Sequence, residues 1–240
     1  MRRYPYTSAT ANVMPYRFRV VGVLLSLAVA ASPWLLDAQG DPTQYVVSYL
    51  EAAPASQGQV AMMLKDVAAA SRKEGPLRYE VLERVPESNQ FLILEIWKDQ
   101  RALDAHNGAA HTKSFREKVS PLLIAPIDDR FCVPTMVAPL RDGRTAVYAV
   151  THIDVPGTSR DAALGLMKTF IDQTRRERGN LRFDLVHQAN RTNHFTAIET
   201  WADRQSADAH ELAQHTRTFR REITPLLGAL YDQRWYRPLE

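Results

Sequence analysis

Two histidines, one glutamate and one tryptophan occur twice in this chain at the same spacing, and together these residue types could move a proton. The two sets are Glu95, Trp97, His106 and His111, and Glu199, Trp201, His210 and His215. A carboxylate beside an imidazole raises the pKa of the imidazole and orients its ring, as a general base requires near neutral pH. The spacing therefore predicts acid–base chemistry if the fold brings the glutamate of a set against a histidine.

A phenylalanine follows the second histidine of each set by four residues, so that the two side chains share one stripe of a helix. These residues are Phe115 in the first set and Phe219 in the second. Side-chain alternation along a strand likewise places the glutamate and the tryptophan of each set on one face. If strand face and helix stripe oppose each other, we expect Glu199 to meet His215 in an aromatic pocket, with Trp201 and Phe219 as walls.

The two sets belong to a tandem duplication. The stretch 91–123 recurs without a gap as 195–227, and 22 of the 56 positions in the wider windows 75–130 and 179–234 are identical. A fixed period of this kind indicates two copies of one structural unit. We predict repeat one at residues 44–133, a linker at 134–144 and repeat two at 145–240.

Hydrophobic periodicity predicts the order β-α-β-β-α-β in each repeat, which is the ferredoxin-like order. Predicted strands are 45–50, 77–84, 91–97 and 127–133, then 148–153, 181–188, 195–201 and 231–236; predicted long helices are 57–73 and 160–178. Asp99 and Asp203 are expected to cap the shorter helices, and Gly75 and Gly179 to end the long ones. Both faces of the strand 91–97 are apolar, and helices can cover only one. The sequence thus predicts an α+β fold of two tandem ferredoxin-like units packed sheet to sheet.

Differences between the repeats favour repeat two as the active one. It has His152 where repeat one has Tyr49, and His187 where repeat one has Glu83. Repeat two could therefore gather His152, His187, His210 and His215 in one pocket. We predict His215 or His152 as the base, oriented by Glu199.

A purely structural interpretation of the same residues remains open. A glutamate on a strand and a histidine on a helix can simply satisfy each other's buried polar atoms and lock helix to sheet. The tryptophans could likewise serve packing alone. Four histidines also raise a metal or haem interpretation, but metal-type spacing such as HExxH is missing, so we predict neither metal nor cofactor.

Composition limits the partners of the chain. The net charge of +3 arises in residues 1–38, where Arg2, Arg3, Arg17 and Arg19 oppose Asp37, and the remainder is neutral. That balance argues against a nucleic-acid partner. The apolar run 20–31 follows two arginines and predicts a signal peptide over residues 1–38, hence a secreted or periplasmic protein, with an uncleaved membrane anchor as the alternative. The single cysteine, Cys132, is expected to be a buried, inert thiol.

The pattern E-x-W-x-D-x4-D-A-H-x4-H-T-x2-F, present in both repeats, resembles the antibiotic biosynthesis monooxygenase (ABM) family of dimeric α/β barrels. The resemblance implies an intrachain version of that barrel, with a pocket between sheet and helices in each unit. It also implies oxidation of a small phenol or quinol by O2 without a bound cofactor, whereas a haem-degrading branch of the family uses an Asn, a Trp and a His. A non-catalytic module that binds a small apolar ligand, or a haem-binding protein, is the alternative. A compact monomer is expected, with further dimerisation left open.

Overall fold

The computed structural model describes residues 43–139 and 147–239. Repeat one contains β1 (Gln44–Glu51), α1 (Gln57–Ser71), β2 (Arg78–Val85), β3 (Gln90–Trp97), α2 (Gln100–Gly108), α3 (Ala110–Val119) and β4 (Asp128–Met136). Repeat two contains β5 (Val147–Asp154), α4 (Arg160–Thr174), β6 (Asn180–Gln188), β7 (Arg191–Trp201), α5 (Arg204–Leu212), α6 (Gln214–Ile223) and β8 (Asp232–Pro238). The predicted signal peptide lies outside the described residues.

The eight strands form one closed barrel in the order β1-β3-β2-β8-β5-β7-β6-β4. Every neighbouring pair is antiparallel. Each repeat contributes four adjacent strands, and the repeats join where β2 pairs with β8 and β4 pairs with β6. Closure removes the unpaired strand edges that would otherwise invite association. The structure therefore confirms the predicted pair of ferredoxin-like units and the intrachain α/β barrel.

Side-chain alternation gives each strand one face inside the barrel and one face under the helices. The inner core draws on both repeats, with Tyr45 and Leu94 from repeat one and Tyr148 and Ile198 from repeat two. Each repeat also has one outer core, which lies between its strands and its helices. Both faces of β3 are buried for this reason, as its continuous apolar sequence predicts.

The two short helices α2 and α5 begin at the predicted capping residues. The Asp99 side chain accepts a hydrogen bond from the Ala102 backbone N at 2.8 Å, and Asp203 accepts one from Ser206 N at 2.7 Å. Gly75 and Gly179 have φ of 78° and 87°, a conformation that favours glycine because it has no Cβ. Both aspartate caps are confirmed. Gly75 ends a 3-10 turn, Arg72–Glu74, that follows α1, whereas α4 already ends at Thr174, so the prediction that Gly179 ends this helix is wrong.

The two glycines provide a matched test of backbone geometry. A Cβ at Gly75 would meet nothing within 4 Å, whereas a Cβ at Gly179 would lie 2.5 Å from Ser206 Cβ. Gly75→Ala should lower the free energy of unfolding by about 1 to 2 kcal/mol, the cost of the left-handed conformation. Gly179→Ala should cost roughly 1 to 3 kcal/mol more, because the segment must also shift. Urea unfolding of both variants measures this difference, and equal losses would contradict the predicted clash.

Some element bounds differ from the predicted ones. β4 continues through Pro134 to Met136, so it extends into the stretch predicted as linker. α4 ends at Thr174 rather than at residue 178. Cys132 is 1% exposed and its burial raises the pKa of the thiol to about 12, as expected for an inert side chain. Within residues 43–139 and 147–239, no helix combines the length and apolarity needed to cross a membrane.

Candidate functional site

Glu177, which is not among the predicted site residues, lies between the two histidines of repeat two. Its Oε1 is 2.8 Å from His210 Nδ1 and 2.5 Å from His215 Nε2. Glu177 follows the end of α4, His210 lies in the last turn of α5 and His215 in the first turn of α6. Three elements thus bring one carboxylate and two imidazoles together.

The buried side of this cluster ends at Glu199 on β7, which is 1% exposed. Its Oε2 lies 3.5 Å from His210 Nε2 and accepts a hydrogen bond from Trp201 Nε1 at 3.3 Å. Burial, followed by the nearby Glu211 carboxylate, raises the pKa of Glu199 to about 8. Burial also lowers the pKa of His210, so this imidazole is held neutral. Glu199, His210, Glu177 and His215 therefore form a row from the interior to the surface, which we call the proton row.

Repeat one contains the same row with looser contacts at its outer end. His106 Nδ1 lies 2.6 Å from Glu74 Oε2, and its Nε2 lies 3.5 Å from Glu95 Oε2. His111 Nε2 is 3.6 Å from Glu74 Oε1. Trp97 donates a 2.8 Å hydrogen bond to Glu95. Burial raises the pKa of Glu95 as well.

A surface groove reaches the outer histidine in each repeat, between the two helices that cover the sheet. In repeat two it lies between α4 and α6, has a volume of about 590 Å³, and is lined by Leu166, Thr169, Phe170, Gln173, Gln214, His215, Thr218, Phe219 and Glu222. Phe170 and Phe219 stack with ring centroids 4.1 Å apart and an interplanar angle of 1°. The groove between α1 and α3 of repeat one, with a volume of about 290 Å³, includes His111 and Phe115. The larger groove thus belongs to repeat two.

The predicted contact between Glu199 and His215 is replaced by two others. Glu199 faces His210, and His215 faces Glu177. His215 and Phe219 line the groove, while His210 and Trp201 are 1% and 0% exposed and lie beneath it. In repeat one, His111 and Phe115 line the groove, and Glu95 and Trp97 are buried.

The predicted gathering of four histidines in repeat two is wrong. His152 lies on the inner face of β5, where its ring is 5.2 Å from that of Tyr49 and Arg130 Nη1 is 3.0 Å from both ring nitrogens. Burial and Arg130 lower the pKa of His152 to about 3. His187 lies on the outer face of β6, 2.7 Å from Thr135 Oγ1. Neither residue contacts the proton row.

A change in the spacing of the two repeats conceals the equivalence of Glu74 and Glu177 in the sequence. The elements before Gly75 and Gly179 repeat with a spacing of 103 residues, whereas the later elements repeat with a spacing of 104. Alignment at 103 pairs Glu74 with Glu177, while alignment at 104 pairs Glu74 with Arg178. The change of spacing between β1 and the later strands was therefore the signal that could have found this carboxylate.

The raised pKa of Glu199 predicts the pH dependence of stability. With a pKa of about 8 in the fold and a usual value of 4.5, the native state holds a proton that the unfolded chain releases between these pH values. The free energy of unfolding should therefore fall as pH rises from 4.5 to 8, by about 1.4 kcal/mol per unit of pKa difference. Urea unfolding across this range should show the loss in the wild type and a weaker one in Glu199→Gln. Identical slopes would contradict the assignment.

Comparison with known proteins agrees with this architecture. The family model described as Antibiotic biosynthesis monooxygenase matches residues 43–118 and 146–222. The "Putative monooxygenase YcnE" of Bacillus subtilis (strain 168) is 35% identical over 82 residues, which cover 34% of this chain and 86% of that protein.

Two crystal structures share the fold over most of the chain. One, of a "putative monooxygenase" from Fusobacterium nucleatum, has a TM-score of 0.72 at 15% identity and covers 82% of this chain and 93% of its own. Another, from Lactobacillus acidophilus, has a TM-score of 0.69 at 14% identity and covers 83% and 95%. The family model matches both repeats and covers more than half of the residues of this chain. The chain therefore belongs to the antibiotic biosynthesis monooxygenase family.

Proposed function

We propose that this monooxygenase-like protein oxidises a small phenolic or quinol-type substrate with O2 in the groove of repeat two, without a bound cofactor. The observation that carries the proposal is the exposure of His215, which is 22%, at a groove containing stacked Phe170 and Phe219. Both phenylalanines are only 4% exposed, so a planar aromatic substrate would rest on the accessible part of these side chains and on Leu166, with its hydroxyl near the imidazole. Membership of the family supports the reaction class.

In the proposed reaction His215 is the general base. It removes a proton from the phenol or its keto tautomer, and the resulting anion transfers one electron to O2. The two radicals combine to form a carbon–oxygen bond, and the peroxide takes up a proton. Loss of water from the hydroperoxide then leaves C=O at the carbon that was a CH2 group in the keto tautomer of the substrate. The substrate supplies all four electrons that reduce O2 to one carbonyl oxygen and one water, so the balance needs no external reductant.

The proton row supplies the supporting acid–base groups. Glu177 Oε1 lies 2.5 Å from His215 Nε2, and its negative charge would stabilise the positive charge that the ring gains on proton transfer. Buried His210 and Glu199 hold Glu177 from the other side, at the distances given above. A base whose ring is fixed in this way meets the geometric requirement for proton abstraction. Leu166, Phe170 and Phe219 would form the apolar part of the site beside the anion.

Oxygen consumption tests the proposal. Purified protein is mixed with a panel of hydroquinones and anthrones while O2 uptake and product formation are followed. The proposal predicts, for at least one substrate, one carbonyl formed per O2 consumed. Uptake no faster than the uncatalysed reaction for every substrate in the panel would contradict it.

A non-catalytic binding module would give a different result in the same samples. The apolar part of the groove lining, formed by Leu166, Phe170 and Phe219, favours this second candidate. It predicts that panel compounds raise the unfolding temperature while O2 uptake stays at the background rate. A Soret band on titration with haem would instead indicate a haem-binding protein.

Two further proposals concern the state of the protein in the cell. We infer export through residues 1–38, supported by Arg17 and Arg19 before the apolar run 20–31. Mass spectrometry of the protein from the periplasmic or extracellular fraction tests this. We also infer a monomer, because each of the eight barrel strands pairs on both sides within one chain. Light scattering measures the molecular mass in solution and so distinguishes a monomer from a dimer.

A further inference from the structure

We propose that each repeat contains a binding site for a divalent transition-metal ion, built from two histidines and one glutamate. The residues are Glu177, His210 and His215 in repeat two, and Glu74, His106 and His111 in repeat one. In each group the atoms that could bind a cation lie within 4.8 Å of one another. This inference goes beyond the oxidation proposed above and would hold without it.

The donor atoms determine the class of cation. Two imidazole nitrogens with one carboxylate oxygen suit Zn²⁺ and other divalent transition metals, at distances of about 2.0–2.2 Å. Mg²⁺ and Ca²⁺ prefer sets made of oxygen atoms alone. The ligands of repeat two come from different elements, so the missing HExxH spacing does not exclude a metal. Glu177 precedes His210 by 33 residues.

The orientation of His215 supports a cation as well as a hydrogen bond. Its Nε2 is buried and lies 2.5 Å from Glu177 Oε1, yet this contact does not satisfy hydrogen-bond geometry and the nitrogen has no hydrogen-bond partner. Buried nitrogen without such a partner requires an explanation. A cation placed between the carboxylate and the two rings would use the lone pairs of both nitrogens.

Residues around the cluster have the arrangement of an outer ligand shell. Glu199 Oε2 faces His210 Nε2 at 3.5 Å, on the ring edge opposite Nδ1. His210 Nε2 has no hydrogen-bond partner among the described residues. A small rotation of the ring on binding a metal through Nδ1 would let Nε2 donate to Glu199, as outer-shell carboxylates commonly accept from metal-bound histidines. Trp201 in turn donates to Glu199. The same outer pair, Glu95 and Trp97, is present in repeat one.

The cluster lies near the protein surface and occurs in both repeats. The side chains of His215 and Glu177 are 22% and 20% exposed, so the cluster lies next to the surface, where a cation could reach it. The cluster also persists in both repeats although the spacing of the chain changes from 103 to 104 residues between its members. The position of the glutamate in space is thus kept while its place in the alignment shifts.

Metal binding would compete with the proposed oxidation at one residue. A cation on His215 Nε2 replaces the contact with Glu177, and its positive charge lowers the basicity of the ring that would accept the substrate proton. Zn²⁺ is therefore expected to suppress O2 uptake in a protein that oxidises phenols. Because binding and oxidation are measured separately, one of these proposals can fail while the other stands.

Equilibrium dialysis of the full chain against Zn²⁺, after treatment with a chelator, tests the site. We expect two Zn²⁺ per wild-type chain, one for Glu177→Gln and one for Glu74→Gln, and none for the double variant at the same free concentration. Removal of a direct ligand should weaken its site by more than about 100-fold, since even outer-shell changes cost 10- to 100-fold. His194→Ala, which removes a histidine outside both clusters, should retain two. Unfolding temperatures show whether each variant is folded.

Cobalt provides a spectroscopic check. Co²⁺ bound by two imidazoles and a carboxylate should give visible absorption bands in the wild type, half their intensity in each single variant and none in the double variant. Equal binding of either metal by the wild type and the folded double variant would overturn the proposal. Failure of the wild type to bind Zn²⁺ would overturn it too. O2 uptake by the chelator-treated wild type then reports on the oxidation alone.

Discussion

Replacing His215 with alanine is expected to lower kcat for the oxidised phenol by about 10²- to 10⁴-fold, the contribution of a positioned general base. KM should change little, because Phe170 and Phe219 still form the groove. The same substitution at His111 should have a small effect, since the groove of repeat one has about 290 Å³ against about 590 Å³ in repeat two. Steady-state O2 uptake measures both variants.

The comparison of these two variants distinguishes reaction in repeat two alone, reaction in both repeats, and a purely structural role of the histidines. His194→Ala is the control for loss of a histidine, because His194 does not line the groove and instead pairs with Asp154 at 2.9 Å. Equal losses in His215→Ala and His111→Ala would show that both repeats act. Unchanged turnover in His215→Ala would remove this residue from the reaction and leave the structural interpretation of the proton row.

Asp184→Ala is expected to lower the free energy of unfolding by about 3 to 5 kcal/mol, because it leaves a buried arginine without its counterion. Asp184 and Arg182 are 2% and 6% exposed inside the barrel and are paired with each other. Tyr45 of repeat one completes the group, with its hydroxyl 2.8 Å from Arg182 Nη2 and 3.2 Å from Asp184 Oδ2. This contact therefore links the two repeats.

Repeat one provides the matched control. Glu80 occupies the position equivalent to Asp184, but its side chain is 29% exposed and its Oε1 lies 3.9 Å from Arg78 Nε. Glu80→Ala should cost less, about 1 kcal/mol, because this pair is half-buried and its contact is long. Urea unfolding measures both changes. A loss at Asp184 no larger than that at Glu80 would show that the buried group does not hold the repeats together.

The elements of the fold could be predicted because their signals are local. Apolar residues on both faces of β3 indicated cover on both sides, and the caps Asp99 and Asp203 marked where helices begin. The pairing of β4 with β6 could not be predicted in this way, since it joins segments about 50 residues apart. Pro134 looked like the start of a linker, yet it lies at a register shift of that pairing, where a strand tolerates proline.

The site was predicted in its residue types but not in its contacts. His210 and His215 lie on separate helices because Ala213 has an extended backbone, with φ of −64° and ψ of 146°. Their spacing of five residues therefore could not show which ring faces Glu199. Strand alternation did contain the information that His152 and His187 diverge. His152 shares the inner face of Tyr148, whereas His187 shares the outer face of Phe183.

Glu177 shows a different limit of sequence comparison. Its partner Glu74 lies just before Gly75, at which the gapless alignment of the repeats begins. One extra residue in repeat two then hides the correspondence, although the side chains occupy equivalent places beside His106 and His210. The two glutamates therefore keep equivalent positions in space, although the one-residue shift separates them in a gapless alignment.

Proton abstraction by His215 is the central claim, and the absorption spectrum of a bound phenol tests it most directly. A hydroquinone or anthrone that the protein oxidises is bound under anaerobic conditions, so that the anion accumulates. The wild type should show the absorption of the phenolate or enolate at a pH below the substrate's own pKa, and His215→Ala should show the neutral form. The same neutral spectrum in both proteins, with the substrate bound, would contradict the account.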